Sequence, residues 1–529
     1  MKSLGKSLSG FIALSMVLIY GCGANKAPDK DRENEKAGHL PPNILYIMSD
    51  DHTANAISSY GLRFSEILPT PNIDRLALEG ARLSNCFVTN SICTPSRATI
   101  LTGKYGHKNG VYTLWDDLDR DQQNVAMLLQ QAGYETAIIG KWHLHTQPNG
   151  FDYFSVLPGQ GKYFDPVFKE SGAAWADNSK EGKLYEGYAT DVITDKSLEW
   201  LKNRDSSKPF FLMCHHKAPH GLWEYAPRHE HLFDGLTIPE PESLMEDKSH
   251  RSEGSRQFGR NMLNLSQRMS EGKNGREWPT GKLDVSGMTD EEKIRATYQK
   301  YLKDYLRVVA AIDENVGRLL DYLDESGLAE NTIVAYTSDQ GMFLGEHSYY
   351  DKRWMYEESL KMPFLIRYPG EIEAGSVCTD MVTNLDFAEL FLDYAGVDIP
   401  EDMQGRSFRE NLVGRTPADW RTSFYYRYWM QIEGSNVPAH YGIRTEKYKL
   451  IFFYGLGLGR NGSTEGWVTP AGWELYDLEE DPKELKNLYG QPGYEAITSQ
   501  LKEGLSQLKS EVDDPDEKYP EMIGLFQEL

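Results

Sequence analysis

A chain of 529 residues is too long for one ordinary hydrophobic core, so two domains are expected. Its 79 acidic side chains outnumber 56 basic ones, a net charge of −23. That balance excludes a general affinity for nucleic acid or anionic lipid surfaces, but it leaves room for an anionic substrate in a locally basic pocket.

The first elements concern export. Lys2 and Lys6 precede an apolar stretch from Phe11 to Tyr20 that ends in Gly21-Cys22. It is too short to span a bilayer and has the layout of an export signal over residues 1–21. Its ending resembles a bacterial lipoprotein processing site, which implies lipidation of Cys22; Tyr20 is bulky for its position, so simple secretion is the alternative. The polar residues 22–40 read as a tether. The protein is therefore expected to be exported, as a periplasmic or outer-membrane lipoprotein of a bacterium, with Cys22 its one tie to a membrane. Of the remaining cysteines, Cys86, Cys214 and Cys378 form an odd set if Cys93 is reactive, and no disulfide framework follows.

Four apolar runs share a pattern. Asn43 to Met48 runs into Ser49-Asp50-Asp51, and Ala137 to Gly140 into Lys141-Trp142-His143. Phe210 to Met213 leads to His215-His216 and Pro219-His220, and Thr332 to Tyr336 leads to Ser338-Asp339-Gln340-Gly341. Continuous apolar runs suit strands buried on both faces, and a mostly parallel sheet flanked by helices would gather the polar ends along one edge. Lys141 and His143 would face the same side of an extended segment. Residues 240–285, polar and without periodicity, read as a long surface excursion. Thr289-Asp290-Glu291-Glu292 is a capping box for a helix that can run to Ser326. Past about residue 415, aromatic strand candidates such as Tyr448 to Phe453 and an acidic helical tail predict a smaller α+β domain, so the boundaries are drawn at 41–414 and 415–529.

The run Cys93-Thr94-Pro95-Ser96-Arg97 places a thiol at a helix start with a cation one turn away, a site that favours a thiolate or a bound anion; a small buried cysteine is the plain alternative. Asp50, Asp51, Asp339 and Gln340 offer oxygen ligands, which select Ca²⁺ or Mg²⁺ over zinc. Arg97, Lys141 and Lys352 suit the oxygens of a tetrahedral anion. His220 is a candidate general acid.

Together these segments resemble the type I sulfatases. Cys93 to Gly103 looks like their Cys-X-Pro-Ser-Arg-X4-Thr-Gly signature, and the match continues through Ser49-Asp50-Asp51, Gly140-Lys141-Trp142-His143, Pro219-His220, Ser338-Asp339-Gln340-Gly341 and Asp351-Lys352-Arg353. The resemblance implies an alkaline phosphatase-like α/β core with a smaller C-terminal domain bearing an antiparallel sheet. It implies that a separate maturation enzyme oxidises Cys93 to formylglycine, and that Asp50, Asp51, Asp339, Gln340 and the group derived from Cys93 hold Ca²⁺ (before Mg²⁺); Gln340 stands where Asn is more familiar. Lys141, Lys352 and His220 would contact the sulfate, Arg97 would support the nucleophile, and His143 would act as base in sulfate release. Asp351, Arg353 and His440 lie in segments similar to bacterial sulfatases acting on N-acetylglucosamine 6-sulfate, which implies contacts to sugar hydroxyls and a sulfated saccharide as partner. Another sugar sulfate, such as iduronate 2-sulfate, is an alternative, as is a phosphonate monoester or phosphodiester on the same fold.

Overall fold

The computed structural model describes residues 41–525 apart from 178, 273, 274 and 524. The expected export signal, Cys22 and the tether lie outside the described residues, and among the described residues no helix is long and apolar enough to cross a membrane.

A ten-stranded sheet forms the centre, in the order Ser376–Cys378, Ala81–Leu83, Phe364–Arg367, Thr332–Ser338, Asn43–Ser49, Phe210–His216, Glu135–Lys141, Tyr153–Leu157, Val167–Glu170, Lys183–Leu184. The strands from Thr332–Ser338 to Tyr153–Leu157 are all parallel, and the four apolar runs picked out in the sequence are its middle. Period-two alternation sends each strand's side chains to opposite faces. Tyr46, Phe211, Ile138 and Ile333 thus join one core, whereas Ile47, Leu212, Ile139 and Val334 join the other. The helix Asp290–Glu325, started by the capping box of Thr289 and Glu292 and capped by Ser326, covers the second face with Tyr298, Tyr305 and Ile312. The first face is covered by Cys93–Thr102 and Phe387–Ala395.

Residues 240–285 depart from expectation. They contain the helix Met262–Glu271, whose Met262, Leu265 and Met269 are buried against the second core. Three apolar positions in an otherwise polar stretch concealed its period, although Asn261 and Asn264 form a capping box. Nor is the segment a simple surface loop: Arg251 is fully buried on Glu246, and Ser252 and Ser255 donate to Glu474.

The C-terminal strands Ser423–Tyr428, His440–Thr445, Tyr448–Phe453 and Gly472–Asp477 form a wholly antiparallel sheet. One face carries Tyr425, Tyr441 and Leu450 against the helix Glu495–Glu511; the other carries Phe424, Tyr426, Ile451 and Phe453 into the first core of the main sheet. The boundary expected at 414/415 falls between Arg409–Leu412 and the first of these strands.

Candidate active site

The parallel strands deliver their polar ends to one edge. Asp50 and Asp51 follow Asn43–Ser49, Asp339 and Gln340 follow Thr332–Ser338, and Lys141 ends Glu135–Lys141. Gly140 makes the last of these possible: its φ is 107°, and a Cβ there would stand 1.9 Å from the carbonyl oxygen of His215 on the neighbouring strand. Cys93 is the first residue of the helix Cys93–Thr102, and its thiol donates to Asp50 Oδ1 at 3.5 Å.

Three carboxylates and three cations interlock around it. Lys141 Nζ is hydrogen-bonded to Asp50 Oδ2, Lys352 Nζ lies 2.6 and 2.7 Å from the two oxygens of Asp51, and Arg97 binds Asp339 Oδ2 through Nε and Nη2, each at 2.9 Å. All six side chains are buried. Burial alone would raise Asp50, but Lys141 and its other cationic neighbours hold it well below the usual carboxylate range. Burial and the charge of Asp50 push Asp339 up to about 7, and Asp51 is also raised. Cys93 is likewise pushed up to about 12 by burial, with Asp50 adding to the effect. The thiolate considered from the helix start is thus disfavoured, because burial and the charge of Asp50 outweigh the opposing cations Lys141 and Lys352, themselves paired with Asp50 and Asp51.

One oxygen of each of Asp50, Asp51 and Asp339 lies within 4.8 Å of the others. Gln340 closes the group, with Nε2 at 2.5 Å from Asp51 and 2.7 Å from Asp339, while its Oε1 is buried with no hydrogen-bond partner among the described residues. An orphaned amide oxygen beside three converging carboxylates fits a hard divalent cation, with the amide turned to present that oxygen.

Asp51, Asp351 and Arg353 have left-handed backbone, with φ of 69°, 88° and 91°, and so does His143 at 56°. Such conformations cost about 1–3 kcal/mol each in non-glycine residues and gather at functional sites. They also correct the expected extended run from Lys141 to His143: the strand ends at Lys141, and His143, still within reach of the charges of Lys141, Asp50 and Arg97, lines an adjoining cavity of about 640 Å³. Its Nδ1 is buried without a partner, and burial together with Lys141 keeps the ring neutral. His220 Nδ1 faces the Gly221 carbonyl at 2.9 Å, leaving Nε2 directed to the site 3.8 Å from Asp51 Oδ2. Burial lowers its pKa well below the ordinary value, Asp50 opposing and Lys352 reinforcing.

A cleft of about 420 Å³ opens above these groups, with Asp51, Cys93, His220, Asp351, Lys352 and Arg353 in its wall. Asp351 accepts from Arg353 Nε and Arg260 Nη1, both at 3.1 Å. His440 does not line this cleft. Alternation along its strand turns it inward, where it stacks on Trp354 and Tyr426 and packs against Tyr428, the residue whose hydroxyl takes Arg353 Nη1 at 3.4 Å.

Sequence reading missed Gln160, Lys217 and Arg260. Gln160 accepts from Lys141 Nζ at 2.6 Å and joins the cleft to the adjoining cavity. Gln160 and Lys217 both follow parallel strands, so the strand-end rule that exposed Asp50 and Asp339 would have found them. Arg260 comes from the segment read as a loop and carried no such signal.

A parallel sheet that presents carboxylates, lysines and a helix-start cysteine at one edge defines a hydrolase for esters of tetrahedral oxyanions. Residues 42–397 match the sulfatase family, and residues 345–511 match the family described as N-sulphoglucosamine sulphohydrolase, C-terminal. The N-acetylglucosamine-6-O-sulfatase of Bacteroides thetaiotaomicron is 42% identical over 515 residues, spanning 90% of this chain and 88% of that protein. A protein solved in complex with its substrate D-glucosamine-2-N,6-O-disulfate superposes with a TM-score of 0.79 at 40% identity, over 90% of this chain and 99% of that one. The phosphonate monoester hydrolase of Agrobacterium radiobacter, at 20% identity and a TM-score of 0.68 over 89% and 96% of the two chains, shares the fold. The chain belongs to the sulfatase family, formylglycine-dependent and metal-binding hydrolases of sulfuric esters.

Proposed function

We propose that this sulfatase removes the 6-O-sulfate of N-acetylglucosamine units in glycosaminoglycan or mucin fragments, with Cys93 converted to formylglycine by a separate maturation enzyme and Ca²⁺ held by Asp50, Asp51, Asp339 and Gln340. The observation that carries the reading is the cleft that brings Cys93, His220 and Lys352 together above the buried carboxylates, with Lys141 on Asp50 and Arg97 on Asp339 beneath it. The choice of sugar rests on the 42% identical relative.

When present, formylglycine at position 93 would supply a hydroxyl nucleophile, and a divalent cation held by Asp50, Asp51, Asp339 and Gln340 would supply positive charge beside it. Lys141 and Lys352 neutralise the sulfate oxygens. With three buried carboxylates against three buried cations, a divalent cation leaves a positive surplus that an anionic ester meets. His220 is neutral in the free site. A sulfate beside Nε2 favours its protonation, and that proton then passes to the departing sugar oxygen, which is a poor leaving group without it. His143 takes up a proton as sulfate is released. Asp351 and Arg353, which reach the cleft, hold sugar hydroxyls; His440 supports them from behind. Export as a lipoprotein through Cys22 would bring the enzyme to glycans outside the cytoplasm.

The test is a desulfation screen on defined mono- and disaccharides, iduronate 2-sulfate and a phosphonate monoester included, with Cys93 conversion verified by mass spectrometry. N-acetylglucosamine 6-sulfate should be the best substrate, Cys93→Ala should be folded and inactive, and Asp339→Asn should lose metal and turnover together. Faster cleavage of the phosphonate than of any sugar sulfate would refute the proposal.

A further inference from the structure

Lys217 is the first residue after the strand Phe210–His216 and lines the cleft with His220 and Glu224. It is only 4% exposed, yet among the described residues no hydrogen bond or ion pair engages its ammonium, which lies over the Tyr163 ring at 4.5 Å. The site's other buried cations have acidic partners: Lys141 has Asp50, Lys352 has Asp51, Arg97 has Asp339 and Arg353 has Asp351. Glu224 acts on Lys217 electrostatically without forming an ion pair. Burial, reinforced by Lys141, accordingly pulls the ammonium down to about 8. An unpaired ammonium in a cleft wall costs stability unless a ligand brings the missing anion.

We propose that Lys217 binds a second oxyanion on the sugar substrate, separate from the sulfate that is removed, and thereby selects doubly anionic glucosamine units. The proposal rests on the sugar-sulfatase reading above. Two groups share the required chemistry, an N-sulfate on the same ring and the carboxylate of an adjoining uronic acid. Charge-assisted hydrogen bonding to either is strong enough to set a preference.

Three substrates separate the possibilities: N-acetylglucosamine 6-sulfate, glucosamine 2-N,6-O-disulfate, and N-acetylglucosamine 6-sulfate linked to a uronic acid. The parent enzyme should show a higher kcat/KM on at least one doubly anionic substrate than on the monosulfate. Lys217→Met, which keeps the length and removes the charge, should reduce that preference about ten- to hundredfold. Its thermal midpoint should not fall, because the change removes an ammonium that has no ion pair among the described residues and keeps the apolar stem. Lys217→Gln is measured in parallel, so that a folding defect in one variant does not decide the outcome. Loss confined to the disulfate points to the N-sulfate, and loss confined to the uronate conjugate points to the carboxylate. No preference in the parent, or equal loss on all three substrates, overturns the role of Lys217. A parent enzyme that desulfates none of them overturns the sugar-sulfatase reading and this proposal with it.

Discussion

Asp339 and Asp50 share a side chain, a depth and a site, yet their protonation is driven in opposite directions. Lys141 sits on Asp50, whereas Asp339 faces the charge that Lys141 stabilises, so burial is offset at one and compounded at the other. A cation binds the ionised form of Asp339. Metal affinity should therefore fall as pH drops below about 7, and binding near neutrality should release protons; titration calorimetry in buffers of differing ionisation enthalpy measures both, and pH-independent affinity would contradict the assignment. His220 allows a second residue-scale test. Its replacement by alanine should cut turnover of a sugar sulfate about 10²–10⁴-fold but have far less effect on an aryl sulfate, whose phenolate leaves without a proton. Equal losses would remove it as the acid. The identities of Asp50, Asp339, Cys93 and Lys141 were legible in the sequence, because chemistry at strand ends and a helix start leaves a motif. Which carboxylate each cation would choose was not, since that depends on distances across residues far apart in the chain.

Among the elements, the central strands were the most readable, because burial on both faces demands unbroken apolar runs. The segment 240–285 was the least readable. Besides the apolar side of its helix, polar contacts pin it: Glu246 takes His250 Nε2 at 2.8 Å, His347 Nδ1 at 2.6 Å and Arg251 Nη2 at 2.9 Å, and these partners hold it far below the usual carboxylate range despite burial. Glu246→Gln keeps the shape but strands the buried Arg251 charge, and should cost about 3–5 kcal/mol in urea unfolding, with new protease cleavage in this segment. A cost below about 1 kcal/mol would mean that the pair is not what pins the segment. Because Arg260 belongs to the same segment and binds Asp351, that loosening should also raise KM for the sugar.

Across residues 41–525 the change of texture near residue 415 does not interrupt the apolar packing. Phe424, Tyr426 and Phe453 of the C-terminal sheet share one core with Tyr46 and Phe211 of the main sheet, so residues 41–525 should unfold in a single calorimetric transition. Two well-separated transitions would show that the smaller domain holds itself together. Sequence alone determined the parallel core, the order of the reactive motifs and the family resemblance, because these depend on local apolar period and on residue types at fixed spacing. Tertiary structure alone decided that His440 stacks inward on Trp354, that Gln160 and Arg260 join the site, and that Lys217 lies buried in the cleft wall with no ion-pair partner among the described residues. The physical reason is that desolvation and charge pairing are set by what packs around a side chain, and those neighbours come from every part of the chain.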